Sequence, residues 1–107
     1  MDKKIYNLIE KELYLYPRKK ARAKIESLPS LFLMEIERRQ NAIGEAINIT
    51  KRRPSGGDRY KVIKLKYFDA GKTDEGIWTS IPCSRSTYFR WRQDFIKLVA
   101  EQLGWEV

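Results

Sequence analysis

The apolar positions of this chain form three stripes with helical spacing. Between residues 2 and 16, Ile5, Leu8, Ile9, Leu13 and Tyr16 share one side of a predicted helix. Asp2 suits the positive N-terminal end of that helix, and Pro17, which has no N–H to donate, marks its expected end. From Ser30, read as an N-cap, a second long helix carries Leu33, Ile36, Ile43, Ala46 and Ile47 along one side. Leu31, Phe32 and Met34 widen that stripe beyond what one small core needs, so this end is expected to meet the first helix or a second copy of the protein. Gly44 costs about 1 kcal/mol against alanine inside a helix and fits a point of close packing.

The third stripe is the strongest. In SRSTYFRWRQDFIKLVAEQLG, residues 84 to 104, Tyr88, Trp91, Phe95, Leu98 and Val99 lie on one side, while Ser86, Arg90, Gln93 and Lys97 lie opposite, flanked by Arg85 and Phe89. Ser84 is placed to cap this helix and Gly104 to stop it.

Between the stripes stand two breaks. PRKKARAKIESLP brackets five basic residues with prolines and reads as a further helical turn or a connector. KRRPSGGD is the clearer one, a basic run followed by proline and two glycines. It predicts a flexible basic hinge over 51–57 between an N-terminal helical region, 1–50, and a C-terminal part, 58–107.

Residues 58 to 81 admit two local readings. Ile63, Leu65 and Tyr67 alternate with Lys64 and Lys66, which suits a hairpin of YKVIKLKYF with GIWTSI. A helix from about Asp58 to Asp69 groups Val62, Leu65 and Phe68 instead. The continuation favours the helix. Thr73 can cap a short helix with Asp74 and Glu75 in its first turn, and Pro82 drives Ile81 out of helical angles. The result is helix, short helix, a turn of about four residues and a long helix, the order of a helix-turn-helix.

Charge sharpens this picture. The chain has 107 residues, enough for one domain or a small domain plus an arm, and 22 basic against 14 acidic side chains leave it at +8. Such a balance favours a polyanionic partner. Residues 51 to 66 concentrate it, with Lys51, Arg52, Arg53, Arg59, Lys61, Lys64 and Lys66 against Asp58 alone. Cys83 has no partner for a disulfide, and no apolar run of membrane-spanning length or signal pattern is present, so a reducing cytoplasm without membrane association is expected. Histidine is absent. With it go the commonest general base and the usual metal ligand sets, so neither catalysis, nor a metal, nor a cofactor is expected. Asp69, Asp74 and Glu75 are close in sequence, but no partner base accompanies them.

These residues resemble region four of bacterial sigma factors and, more closely, the RinA/ArpU type late transcription regulators of bacteriophages. DRYKVIKLKYFD resembles the helix that opens such modules, and IPCSRSTYFRWRQDFIKLVAEQLG resembles their turn and recognition helix. IEKELYLYP, residues 9 to 17, resembles the acidic ELxxYP stretch near the amino end of that family. The resemblance implies an all-α protein, an N-terminal helical arm followed by a helix-turn-helix domain. It also implies a DNA-binding activator of phage late genes acting in the bacterial cytoplasm, with host RNA polymerase as a partner and the N-terminal helices as the place for that contact or for a homodimer.

A recognition helix presents its first residues to base edges in the major groove while nearby cations hold phosphates. Arg85 and Arg90 are then the candidates for guanine or phosphate, Ser86 and Gln93 for hydrogen bonds to bases or phosphate oxygens, and Phe89 for a thymine methyl or, alternatively, for burial. Arg92 falls in the apolar stripe, so its stem is expected to pack while its head reaches a phosphate or an acid. Lys51, Arg52, Arg53, Lys64 and Lys66 would neutralise the DNA backbone. Two other readings compete: a small terminase subunit, whose N-terminal helices would build a ring on DNA, and a helical adaptor whose basic face meets an acidic protein.

Overall fold

The computed structural model describes residues 2–25, 30–69 and 71–105. The chain forms α1 (Lys3–Ile25), α2 (Ser30–Arg52), α3 (Gly56–Ile63) continued by a π-helical turn (Lys64–Phe68), α4 (Asp74–Ser80) and α5 (Arg85–Leu103). The fold is all-α. Among the described residues no strand occurs, so the alternation at 60–68 is helical and the hairpin reading falls.

Helix ends follow the capping chemistry. The Asp2 carboxylate accepts the Lys4 N–H at 2.7 Å, Thr73 accepts the Gly76 N–H at 3.1 Å, and Ser84 accepts the Thr87 N–H at 3.2 Å. Gly104 closes α5 at φ 73°, and Ile81 is extended at φ −121° before Pro82. The capping role expected of Ser30, and the basic side chains of residues 18–24, lie outside what is described.

Two expectations about helix limits need correction. α1 does not stop before Pro17 but carries it inside, because a proline removes one backbone bond while Leu13 and Tyr16, packed against the core in the preceding turn, hold the helix in place. α2 likewise runs on through Lys51 and Arg52. The stretch expected to be a flexible hinge is a tight corner. Ser55 turns it in the left-handed region at φ 58°, and Gly56 then sits so close to α2 that an added Cβ would clash with the Lys51 carbonyl. Gly44 is the reverse case: space around it is open, and close packing is not its role.

One core crosses that corner. Ile9 and Leu13 of α1, Ala42, Ile43 and Ala46 of α2, Val62, Ile63 and Tyr67, and Ile77 of α4 close around Tyr88, Trp91, Phe95, Ile96, Leu98, Val99 and Leu103 of α5. The third stripe is therefore the axis of the molecule. Leu8, expected on the buried side of α1, stands 54% exposed at the edge of a face centred on Ile5, Ile9 and Leu13. Leu31, Phe32 and Met34 are also exposed, Leu31 at 81%.

Candidate nucleic-acid interface

α5 places its side chains by packing on one side only. With Tyr88, Trp91, Phe95 and Val99 sealed against the other helices, Arg85, Ser86, Arg90, Gln93 and Lys97 are left exposed on the opposite side. Spacings of four, three and four residues line up Ser86, Arg90, Gln93 and Lys97 along the helix, with Arg85 flanking them. No ion pair to Arg85 or Arg90 occurs among the described residues, so both guanidinium groups retain donors for an incoming acceptor.

Arg85 is held in place from below. Its guanidinium carbon lies 5.9 Å from the Trp78 ring centre and 5.6 Å from that of Phe89, and Trp78 itself packs on Tyr88 and Phe89. Phe89 is accordingly a half-buried member of an aromatic cluster rather than a free contact surface. Sequence reasoning missed Trp78 as a platform. Its signal is weak, an aromatic residue in a short capped helix seven positions before a long helix's first arginine.

Arg92 has the opposite fate. It is 7% exposed, and it donates to Glu10 at 2.8 Å, to the Tyr67 hydroxyl at 3.2 Å and to Asp74 at 3.4 Å. Tyr67 in turn donates to Glu10 and Tyr88 to Asp74, each at 2.5 Å, and Lys66 pairs with Asp74 at 3.0 Å. The network joins α1, the π turn, α4 and α5. Burial opposes the Arg92 charge, but Tyr67 and Glu10 more than offset it and leave its pKa raised. Burial, then the bonds to Glu10 and Asp74, push the Tyr67 and Tyr88 hydroxyls up, so both remain donors at neutral pH. At Asp74 burial favours protonation, yet the hydrogen bonds from Tyr88 and Lys66 outweigh it and hold the carboxyl below its usual range. Of the two ends foreseen for Arg92, an acid is the one observed.

Lys66 consequently drops out as a backbone contact: its ammonium is engaged with Asp74 and only 18% of its side chain is exposed. Its charge alone made it a candidate, whereas the fold turns it toward α4. Lys51 is exposed but lies 4.3 Å above the Tyr60 ring, and Arg52 pairs loosely with Glu45 at 3.7 Å. Arg53 borders a shallow groove with Asp94, Lys97 and Glu101. Lys64 is exposed, yet it sits five residues after Arg59, whose head bonds Asp94 of α5 at 3.2 Å, and five residues rotate a helix by roughly 140°. It points away from the side on which Arg59 meets α5. The structure thus gathers Arg85, Ser86, Arg90 and Gln93, brings Arg53 to the edge of the same helix, and leaves Lys64 and Lys66 apart.

One feature of the face was not foreseen. Lys3, Tyr6 and Asn7 of α1 form one wall of a groove of about 410 Å³ whose other wall is Gln93 and Lys97. Sequence offers no hint of it, since the walls are some ninety residues apart in the chain.

Family models, curated proteins and solved structures were compared with the chain, and none of the three comparisons finds a match.

Proposed function

We propose that this protein is a sequence-specific duplex-DNA-binding regulator that uses α4, the turn at 81–84 and α5 as a helix-turn-helix. The supporting observation is the row of Ser86, Arg90 and Gln93 with Arg85 beside it, exposed and without carboxylate partners among the described residues, on a helix anchored by buried aromatics. A B-DNA major groove of about 12 Å admits a helix of that kind, and bidentate arginine contacts read guanine there. The resemblance to phage late regulators gives the setting: an activator in a bacterial host, with RNA polymerase met by α1 and α2. None of the helices among the described residues is long and apolar enough to cross a membrane.

Selection of bound sequences from a random duplex pool tests the reading. Enrichment of a defined site is expected, and Arg90→Ala should weaken that site by about 1–3 kcal/mol and relax the choice of base at one position. Unchanged affinity in the Arg90→Ala variant rejects α5 as the recognition helix. A small terminase subunit is the second reading, favoured by the exposed Leu31, Phe32 and Met34, which ring assembly would cover. Sedimentation separates them, a monomer or dimer for the regulator and a ring of many copies for the terminase.

A further inference from the structure

The groove between α1 and α5 brings two cations, Lys3 and Lys97, to one opening beside the amides of Asn7 and Gln93, and no carboxylate is among its described lining. Lys97 also borders the neighbouring groove at Arg53, which holds Asp94 and Glu101, but no ion pair of Lys97 with either acid occurs among the described residues. Lysines on facing walls repel one another unless an anion lies between them, and side-chain amides supply uncharged donors to the same anion.

Position along α5 identifies that anion. Gln93 and Lys97 continue the row that begins at Ser86 and Arg90, and from Arg90 to Lys97 the helix rises about 10 Å. A helix whose first turns reach base edges in a groove about 8.5 Å deep therefore brings this distance up to the rim, where the phosphates run. We infer that the α1–α5 groove clamps a phosphodiester of the bound duplex at the rim of the major groove, Lys3 and Lys97 contributing charge and Asn7 and Gln93 hydrogen bonds. The inference rests on the DNA-binding reading and adds α1 to the interface, a helix that reading leaves to protein contacts. Gln93 becomes a backbone contact under it, and base reading contracts to Arg85, Ser86 and Arg90.

The test uses the whole protein and a duplex carrying the selected site, with affinity measured across a range of salt concentrations. A Lys3→Gln, Lys97→Gln double variant should lower the magnitude of the slope of log K against log salt by about 0.9, the value for one phosphate no longer neutralised, equally for selected and scrambled duplexes. Lys61→Gln, which removes an exposed charge on α3, should leave the slope as it was. Both lysines are exposed, so the melting temperature serves as a check that the variants fold. An unaltered slope in the double variant, with Arg90→Ala still weakening the selected site, overturns the clamp and leaves the DNA reading standing. An equal fall in slope for Lys61→Gln also overturns it, since total charge would then account for the effect. Failure of the parent protein to bind any duplex in a salt-dependent way overturns both, and binding of poly-glutamate in its place would assign the groove to an acidic protein.

Discussion

Arg90 and Arg92 stand two residues apart on one helix, and everything about them differs. About 200° of helical rotation separates their side chains, so one projects outward while the other enters the core among Glu10, Tyr67 and Asp74. The same guanidinium is available for recognition in one place and serves as structural cement in the other. What decides is the set of partners that the tertiary fold delivers. Two glycines repeat the lesson, Gly56 closed in by backbone and Gly44 with room for a side chain.

The largest test of this contrast is Arg92→Ala. It removes the cation that Glu10 and Asp74 share and empties the space beside Tyr67 and Tyr88. Glu10 keeps its bond from Tyr67, and Asp74 keeps Tyr88 and Lys66, so the loss falls at the low end of the range for breaking a buried pair, about 3 kcal/mol. A fall in melting temperature of well over 10 °C is expected by calorimetry, with Arg90→Ala melting as the parent does. Equal melting of the two variants would erase the distinction between the two arginines.

Gly56→Ala comes next. Its methyl would have to displace the backbone of α2 rather than a mobile side chain, so a loss of about 3 kcal/mol in denaturant unfolding is expected.

A smaller effect concerns acid. The Asp74 carboxyl is held below its unfolded value by Tyr88 and Lys66, and hydrogen bonds from Arg38 and Arg39 lower that of exposed Glu35 to about 2. A depressed folded pKa means that the contribution is present above the unfolded pKa of about 4 and is lost as pH falls through the folded one. Thermal stability should thus hold from neutral pH down to about 5 and decline toward pH 2. Asp74→Asn should flatten that decline, and a decline as steep as the parent's would remove Asp74 from the account.

The mildest change runs the other way. Gly44→Ala adds a methyl in open space on α2 and should stabilise the protein by about 0.5–1 kcal/mol, seen as a rise in melting temperature of a few degrees.

The face of α5 was legible because it depends on local periodicity. Tyr88, Trp91, Phe95, Leu98 and Val99 are buried where a 3.6-residue repeat puts them, and Ser86, Arg90 and Gln93 are exposed for the same reason. Lys66 was misjudged because its fate depends on Asp74, eight residues away across a turn that sequence does not orient. The passage of α1 through Pro17 was hidden for a related reason. Local rules count the missing backbone bond but not the packing of Leu13 and Tyr16 that offsets it.

By itself the sequence determined the helical class, the caps at Thr73, Ser84 and Gly104, and which side of α5 is buried, since each depends on residues within a turn or two of one another. Tertiary structure alone decided that Arg92 is locked to Glu10 from 82 positions away, that the 53–56 corner is closed, and that α1 walls a groove beside Lys97. The physical reason is range. Hydrogen bonding and amphipathicity act along a single helix, whereas charge pairing and cavity shape depend on how separate helices are brought together.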